Sequence, residues 1–401
     1  MPGRTPYGTT GLRRSPVTRM RACADKDAGG TGALRIGVLC PPWFPVPPPR
    51  YGGVEAVVAL LVDGLVAAGH DVTLFASGGS STRARLVSVH AHAPSAQLGK
   101  TLPELEHVLA CIRRAGQFDV ISDHSGPLAL ALSATTPTPF VHTVHNALDG
   151  ILAPTYDAAL DIAHGARLVS LSPEQRLPRP GLPWIATIPN AVDLVRYPCR
   201  SRAPGEYLLW IGRMCREKGP DRAIEVARQA GLPIILAGKM HTAAEREYFE
   251  RRVLPRLDRS ARYVGEADRD TIVSLLHGAL ALVNPIDWPE PFGLVKIEAM
   301  ACGVPVLATR CPGAPEIVVP GVTGFLADDY RSLADAIPAA AAIRPETCRA
   351  EAERRFSPSL MVHRYVNAFR AAIAGSAESR LPRALPAALD PAHHRAPAVR
   401  A

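Results

Sequence analysis

The chain has no pair of cysteines at Cys-x-x-Cys spacing. Its eight cysteines, at positions 23, 40, 111, 199, 215, 302, 311 and 348, are scattered and none clusters with histidine at metal-ligand intervals, so reduced structural thiols are expected. No run reaches about 18 uninterrupted apolar residues, and the basic N-terminal stretch lacks a continuous apolar centre. Neither a membrane span nor a signal peptide is expected, and the prediction is a cytoplasmic protein. There is no short repeat. Missing as well is a GxGxxG turn after the first strand candidate: Pro41-Pro42-Trp43-Phe44 stands there, while Gly30 and Gly32 precede the strand and miss the spacing. That counts against a nicotinamide-dependent oxidoreductase.

A basic folded surface is also lacking, although the net charge is +8. Residues 1–32 carry six cations against Asp25 and Asp27, and residues 375–401 carry four arginines against Glu378 and Asp390. The tails thus hold +4 and +2, and residues 33–374 keep only +2. Nucleic acid is not an expected partner, and small molecules are.

What is present is a chain of 401 residues, too long for one core, with an ordinary hydrophobic fraction of 47% and 39 prolines. From residue 33, short apolar β-rich runs alternate with segments of helical period, the pattern of parallel sheets with crossover helices. Strands are expected at 34–40, 71–76, 86–90, 118–122, 139–145 and 167–171. Val54, Val57, Val58, Leu61 and Leu65 recur at helical spacing between the first two, and Gly69 is placed to end that helix. After a proline-bearing stretch at 188–204 the alternation restarts, with strands at 207–211, 233–237, 261–264, 279–284 and 304–308. Its helices are expected at 221–230, 242–254, 268–277 and 294–301, with further helical segments between 332 and 373. Residues 1–32 and 375–401, aperiodic and rich in small residues, proline and arginine, are expected to be disordered.

Several constellations suit ligand chemistry. Gly52 and Gly53 stand before the first helix, where bare backbone amides and the helix N-terminus favour an anion; a plain loop-to-helix turn explains them too. Arg213 and Lys218 follow a strand at the edge where open α/β sheets bind ligands, and two cations there suit a diphosphate as well as they suit a solvated loop. In EPFGLVKIEAMACGVPV, from Glu290 to Val306, a helix starting near Gly293 puts Glu298 on the face of Leu294, among apolar neighbours. Lys296, two positions away, points elsewhere, so Glu298 needs other partners, which ligand hydroxyls would supply. His145 ends a strand at a sheet edge, whereas His142 faces the opposite side and suits the core. Asp268 and Asp270 can bind a metal or cap the helix that follows, and capping is the preferred reading.

Together these residues resemble the retaining glycosyltransferases of family 4. The resemblance spans about residues 34–374. It rests on the Glu-x7-Glu motif (Glu290 and Glu298), GGVE at 52–55, His145, IPNAVD at 188–193 and GR-x4-KG at 212–219, all in order. It implies an α/β chain of GT-B type, two Rossmann-like domains facing across a cleft: an acceptor-side domain at 33–195, a nucleotide-sugar domain at 196–356, and a helix at 357–374 returning to the first.

The resemblance implies a nucleoside-diphosphate sugar as co-substrate, with UDP the expected nucleotide, no other cofactor and no metal. Glu298 would meet the ribose, Arg213 and Lys218 the diphosphate, and Glu290 with Phe292, Gly293 and Leu294 the donor sugar. His145 would reach that sugar from across the cleft, with Gly52 and Gly53 near the phosphate. The acceptor would be a small molecule, saccharide or lipid. Retention through a covalent Glu290 intermediate stays open beside a same-face displacement, which the family favours. A non-catalytic sugar-nucleotide binder would carry the same residues. Ala191 stands where the linker usually has glycine, which would strain the backbone if that position needs a positive φ.

Overall fold

Two fully parallel sheets organise the chain. The computed structural model describes residues 32–380 except 51, 149, 151 and 202–204, and for 377–380 only the backbone. The first sheet takes β1 (Arg35–Leu39), β2 (Asp71–Phe75), β3 (Arg85–Val87), β4 (Val120–Asp123), β5 (Phe140–Thr143), β6 (Arg167–Ser170) and β7 (Trp184–Thr187), in the order β3-β2-β1-β4-β5-β6-β7. The second takes β8 (Tyr207–Ile211), β9 (Ile234–Ala237), β10 (Ala261–Tyr263), β11 (Ala279–Asn284), β12 (Val306–Thr309) and β13 (Gly324–Ala327), in the order β10-β9-β8-β11-β12-β13. Both belong to one compact unit.

Helices cover both faces of each sheet, because strands buried on two sides are near-continuous Val, Ile and Leu and need two apolar layers. On the first sheet, α1 (Gly53–Ala67) packs on one face, and α2 (Thr101–Ile112), α3 (Pro127–Leu132) and α4 (Ala153–Ile162) pack on the other. The second sheet lies among α5 (Pro220–Gln229), α6 (Ala243–Tyr248), α7 (Arg269–Gly278), α8 (Leu294–Ala301), α9 (Ile337–Ala341) and α10 (Pro345–Phe356). Last in sequence, α11 (Pro358–Arg380) lays Met361, Tyr365 and Phe369 into the core that α1 shares with the first sheet. This helix continues six residues past the expected limit at 374, the alanines at 371, 372, 374 and 377 keeping helical propensity into the polar stretch. Residues 1–31 and 381–401, expected to be disordered, lie outside the described residues. No helix among the described residues is long and apolar enough to cross a membrane.

The strand expectations held for element type and were one to three residues too long at several ends. Two edge strands went unread. Prolines 178, 180 and 183 stand just before β7 and disguise its start, and as an edge strand it pairs with β6 in a shifted register. In β13, four residues beginning with a glycine carry too little pattern. The helix expected at 242–254 is broken: α6 starts with a Thr242–Glu245 capping box, then widens into a π-helical turn over Phe249–Val253.

Strand order reverses between β1 and β4 in the first sheet and between β8 and β11 in the second. At such switch points the connecting loops diverge and leave a crevice outside the carboxyl ends of the strands. The linker threads both cores, Ile188 and Ala191 in the first and Val192 in the second. Among the described residues no non-glycine has a positive φ, so Ala191 is accommodated without the anticipated strain.

Candidate functional site

Both crevices open into a cavity of about 260 Å³ lined by Gly53, His145 and Asn190 from the first half and Arg213, Lys218 and Glu290 from the second. A neighbouring chamber of about 160 Å³ holds Lys239, Glu266, Arg269 and Glu298, and the two share Gly53, Gly212 and Leu294 at their junction. All ten residues that the resemblance places around a sugar nucleotide line one or both chambers.

The chain after β11 turns through Trp288 and brings Glu290 beneath the start of α8. Glu290 is buried, and both of its oxygens are occupied: Lys218 Nζ donates to Oε1, and Lys296 Nζ to Oε2 at 2.6 Å. Lys296 is wholly buried and also donates to the Phe292 carbonyl at 3.1 Å. Burial alone would raise the Glu290 carboxyl, but Lys296 and Lys218 overcome it and hold it down to about 2. Two ammonium groups on one carboxylate leave a net positive charge in the cavity wall. Lys218 also lies over the Trp288 ring, 5.3 Å from its centroid.

Gly293 makes this turn possible. Its φ of 96° suits glycine, and a β-carbon there would run into the Glu290 carboxylate and the Lys296 ammonium. One helical turn later Glu298 faces the second chamber, half-buried, with Tyr197 donating to its Oε1 at 3.0 Å. Desolvation raises its carboxyl, while the Tyr197 hydroxyl and nearby Arg269 oppose that rise. Arg213 leaves β8 and donates to Glu245 Oε1 at 2.7 Å; the other Glu245 oxygen accepts from the Thr242 amide at 3.1 Å and caps α6. Asp268 caps α7, accepting from the Thr271 amide at 2.9 Å.

From the first half, Gly52 caps α1 and Gly53 approaches α8 so closely that a β-carbon would meet Leu294 Cδ1 at 3.2 Å. One turn into α1, Glu55 is buried and its carboxyl is raised to about 7, by desolvation first, with its own amide and Lys239 resisting. At the end of β5 the two histidines divide as the alternation required. His142 is buried, with Nδ1 2.6 Å from Asp123 Oδ2 and Nε2 3.2 Å from the Tyr156 hydroxyl. His145 lines the cavity, its Nε2 3.0 Å from His124 Nδ1, and burial lowers its pKa to about 3.

Sequence reasoning missed three residues here. Lys296 was read only as pointing away from Glu298; its place three residues into α8 puts it one turn above Glu290, which a helix-wheel count from Gly293 back into the loop could have suggested. His124 directly follows β4 and His145 lies two residues past β5, so the carboxyl ends of parallel neighbouring strands signalled the pair. Lys239, just beyond β9, stands in the same position relative to its strand as Arg213 to β8.

Residues 51–196 match the family described as Glycosyltransferase Family 4, and residues 200–354 match Glycosyl transferases group 1. The D-inositol 3-phosphate glycosyltransferase of Arthrobacter sp. (strain FB24) is 28% identical over 334 residues, covering 70% of this chain and 79% of that protein. A glycogen synthase of Mycobacterium tuberculosis (strain H37Rv) is 34% identical over 188 residues, 42% of this chain; the match spans less than half, 44%, of that enzyme. Among solved structures, AviGT4, a glycosyltransferase involved in avilamycin A biosynthesis, superposes with a TM-score of 0.65 at 27% identity, covering 85% of this chain and 98% of that one.

Proposed function

Because the chain belongs to the group 1 and family 4 glycosyltransferases of GT-B fold, we propose that it transfers a sugar, with retention, from a nucleoside-diphosphate sugar to an acceptor hydroxyl. The observation that carries this reading is the clamp of Lys218 and Lys296 on Glu290 at the floor of a cavity that His145 and Gly53 close from the other half.

Breaking the bond between the anomeric carbon and phosphate leaves charge on the departing diphosphate. Preorganised cations in a partly dry cleft stabilise that charge more in the transition state than in the bound donor, which is what accelerates the step. Lys218 and Arg213 supply this, assisted by the amides at Gly53 and the start of α1. Glu298 accepts from ribose hydroxyls in the second chamber, and UDP is the nucleotide expected there. Glu290 accepts from donor-sugar hydroxyls. Engaged by an ammonium on each oxygen, it is a weak nucleophile, which favours the same-face route: the acceptor hydroxyl attacks as the phosphate leaves, and the departing phosphate oxygen takes its proton. A metal is not needed in this scheme, since Asp268 is already committed to its cap.

The test is incubation of the full chain with UDP-, GDP- and ADP-sugars in a donor panel, scored by thermal shift and by release of nucleoside diphosphate. A nucleotide at 100 times its Kd stabilises by about 2.7 kcal/mol, a readily measured change. Stabilisation by UDP together with sugar transfer or slow donor hydrolysis is expected. Stabilisation with no turnover toward any acceptor or water would favour the non-catalytic binder, and NAD alone shifting the melt would refute both.

A further inference from the structure

His145 sits at the end of a buried hydrogen-bonded chain. Ser122 Oγ lies 3.0 Å from His124 Nε2, and His124 Nδ1 lies 3.0 Å from His145 Nε2. Each contact needs one proton, and only two arrangements of neutral rings are consistent. In one, the Ser122 hydroxyl donates to His124, which donates to His145. In the other every bond is reversed and the Ser122 hydroxyl hydrogen has nowhere to go: Ser122 is wholly buried in β4, and His124 is its only side-chain partner among the described residues. A buried donor with no acceptor bears its full desolvation penalty, which decides between them.

We infer that Ser122 and His124 are positioning residues that hold His145 protonated on Nδ1, so that His145 meets a sugar or phosphate oxygen as a hydrogen-bond donor. The inference deepens the glycosyltransferase reading, on which the role of His145 rests. Burial lowers the pKa of both rings, so the neutral arrangement prevails at physiological pH. The His124 ring is fixed in turn by Tyr365 of α11, with centroids 5.8 Å apart, and the Tyr365 hydroxyl is bonded to Thr143 Oγ1 at 2.9 Å. With Nε2 accepting from His124, His145 has only Nδ1 left for what the cavity binds, and that nitrogen has no partner among the described residues. An imidazole so protonated cannot accept a proton from the acceptor hydroxyl through Nδ1. It orients and stabilises, and the proton goes to the leaving phosphate.

The protonation state is read directly from long-range 1H–15N spectra of the full chain with 15N-labelled histidine at pH 7.5, His145 being assigned by its disappearance in His145→Gln. Wild type should show His145 protonated on Nδ1. In His124→Leu the two tautomers should mix, and kcat should fall roughly 10- to 100-fold, the scale set by partners that orient metal-bound imidazoles, with little change in donor KM. His124→Asn, whose amide can donate in place of Nδ1, should recover part of that rate. His145 protonated on Nε2 in wild type would overturn the inference, as would equal turnover of the Leu and Asn variants. Should His124→Leu fail to fold, the wild-type spectrum and that of Ser122→Ala, expected to loosen the same preference, still decide. Because the spectrum needs no turnover, a wild type without transfer activity would count against the enzyme reading alone.

Discussion

Lys296, in the first turn of α8, and Glu290, in the loop before it, form a buried ion pair at 2.6 Å, and the same carboxylate is held on its other oxygen by Lys218. A lysine with no exposed surface is costly unless its charge is matched, and desolvation lowers its pKa against the pull of Glu290. The arrangement sets both the orientation and the charge of the carboxylate that the proposed reaction would offer to a donor sugar.

Lys296→Met keeps the volume and removes one of the two charges on Glu290. Its carboxyl, held down to about 2 by the pair of lysines, should rise, since depression of an acid weakens when a cation is lost. We expect kcat/KM for the sugar nucleotide to fall about 10- to 100-fold and its acid limb to move to higher pH than in wild type, while UDP affinity changes little. A pH–rate profile with the same shape in both proteins would show that Lys296 acts only on the fold.

Glu298→Gln preserves shape and would lose the charge-assisted acceptance from ribose hydroxyls proposed for it. A hydrogen bond to a charged group is worth about 1.5–3 kcal/mol, so UDP should bind roughly 10- to 100-fold more weakly by calorimetry, with an unchanged circular dichroism spectrum. Equal UDP affinity would remove Glu298 from the nucleotide chamber.

Lys218→Ala and Arg213→Ala test how the leaving diphosphate is stabilised. Each should cost roughly 30- to 1000-fold in turnover, the scale set by deleting one preorganised electrostatic donor, with smaller effects on donor binding. Lys218→Ala also leaves one oxygen of Glu290 without its ammonium, and Arg213→Ala leaves one oxygen of Glu245 without its guanidinium, and these half-held carboxylates add to the loss. Wild type should keep its rate in excess EDTA. Activity abolished by EDTA, restored by magnesium and lost in Asp268→Ala would replace this scheme with a metal-dependent one.

Glu55 makes stability fall with rising pH. Its carboxyl titrates near 4.5 when unfolded and about 7 when buried, so the folded state binds the extra proton across that window. The contribution is fully present below pH 4.5 and lost as pH rises through 7, a change of about 3 kcal/mol. Glu55→Gln should therefore gain stability over wild type at pH 8 and not at pH 4.5, as measured by urea unfolding at both values. A difference that does not depend on pH would mean that Glu55 ionises freely in the fold.

Most of the site's second half could be read in one dimension, because Glu290, Gly293 and Glu298 fall within nine consecutive residues whose helical spacing dictates which side chains share a face. Arg213 and Lys218 were visible for a related reason, as a loop directly after a strand in a parallel sheet must lie at its carboxyl edge. The partners of these groups were not. Glu245 reaches Arg213 from 32 residues away, Tyr197 reaches Glu298 from 101 away, and Lys218 reaches Glu290 from 72 away.

By itself the sequence determined the α/β alternation, the restart that makes two sheets, the glycines at which backbone must turn, and the residue types able to grip a sugar nucleotide. These follow from local periodicity and from backbone conformations that few residues can adopt. Tertiary structure alone decided protonation and charge: that Glu290 is a carboxylate clamped by two lysines, that Glu55 is poised near neutrality, and that His145 is aligned by His124 and, through Tyr365, by a helix more than two hundred residues downstream. Such properties depend on desolvation and on distances of a few ångströms between groups that only the packed cores bring together.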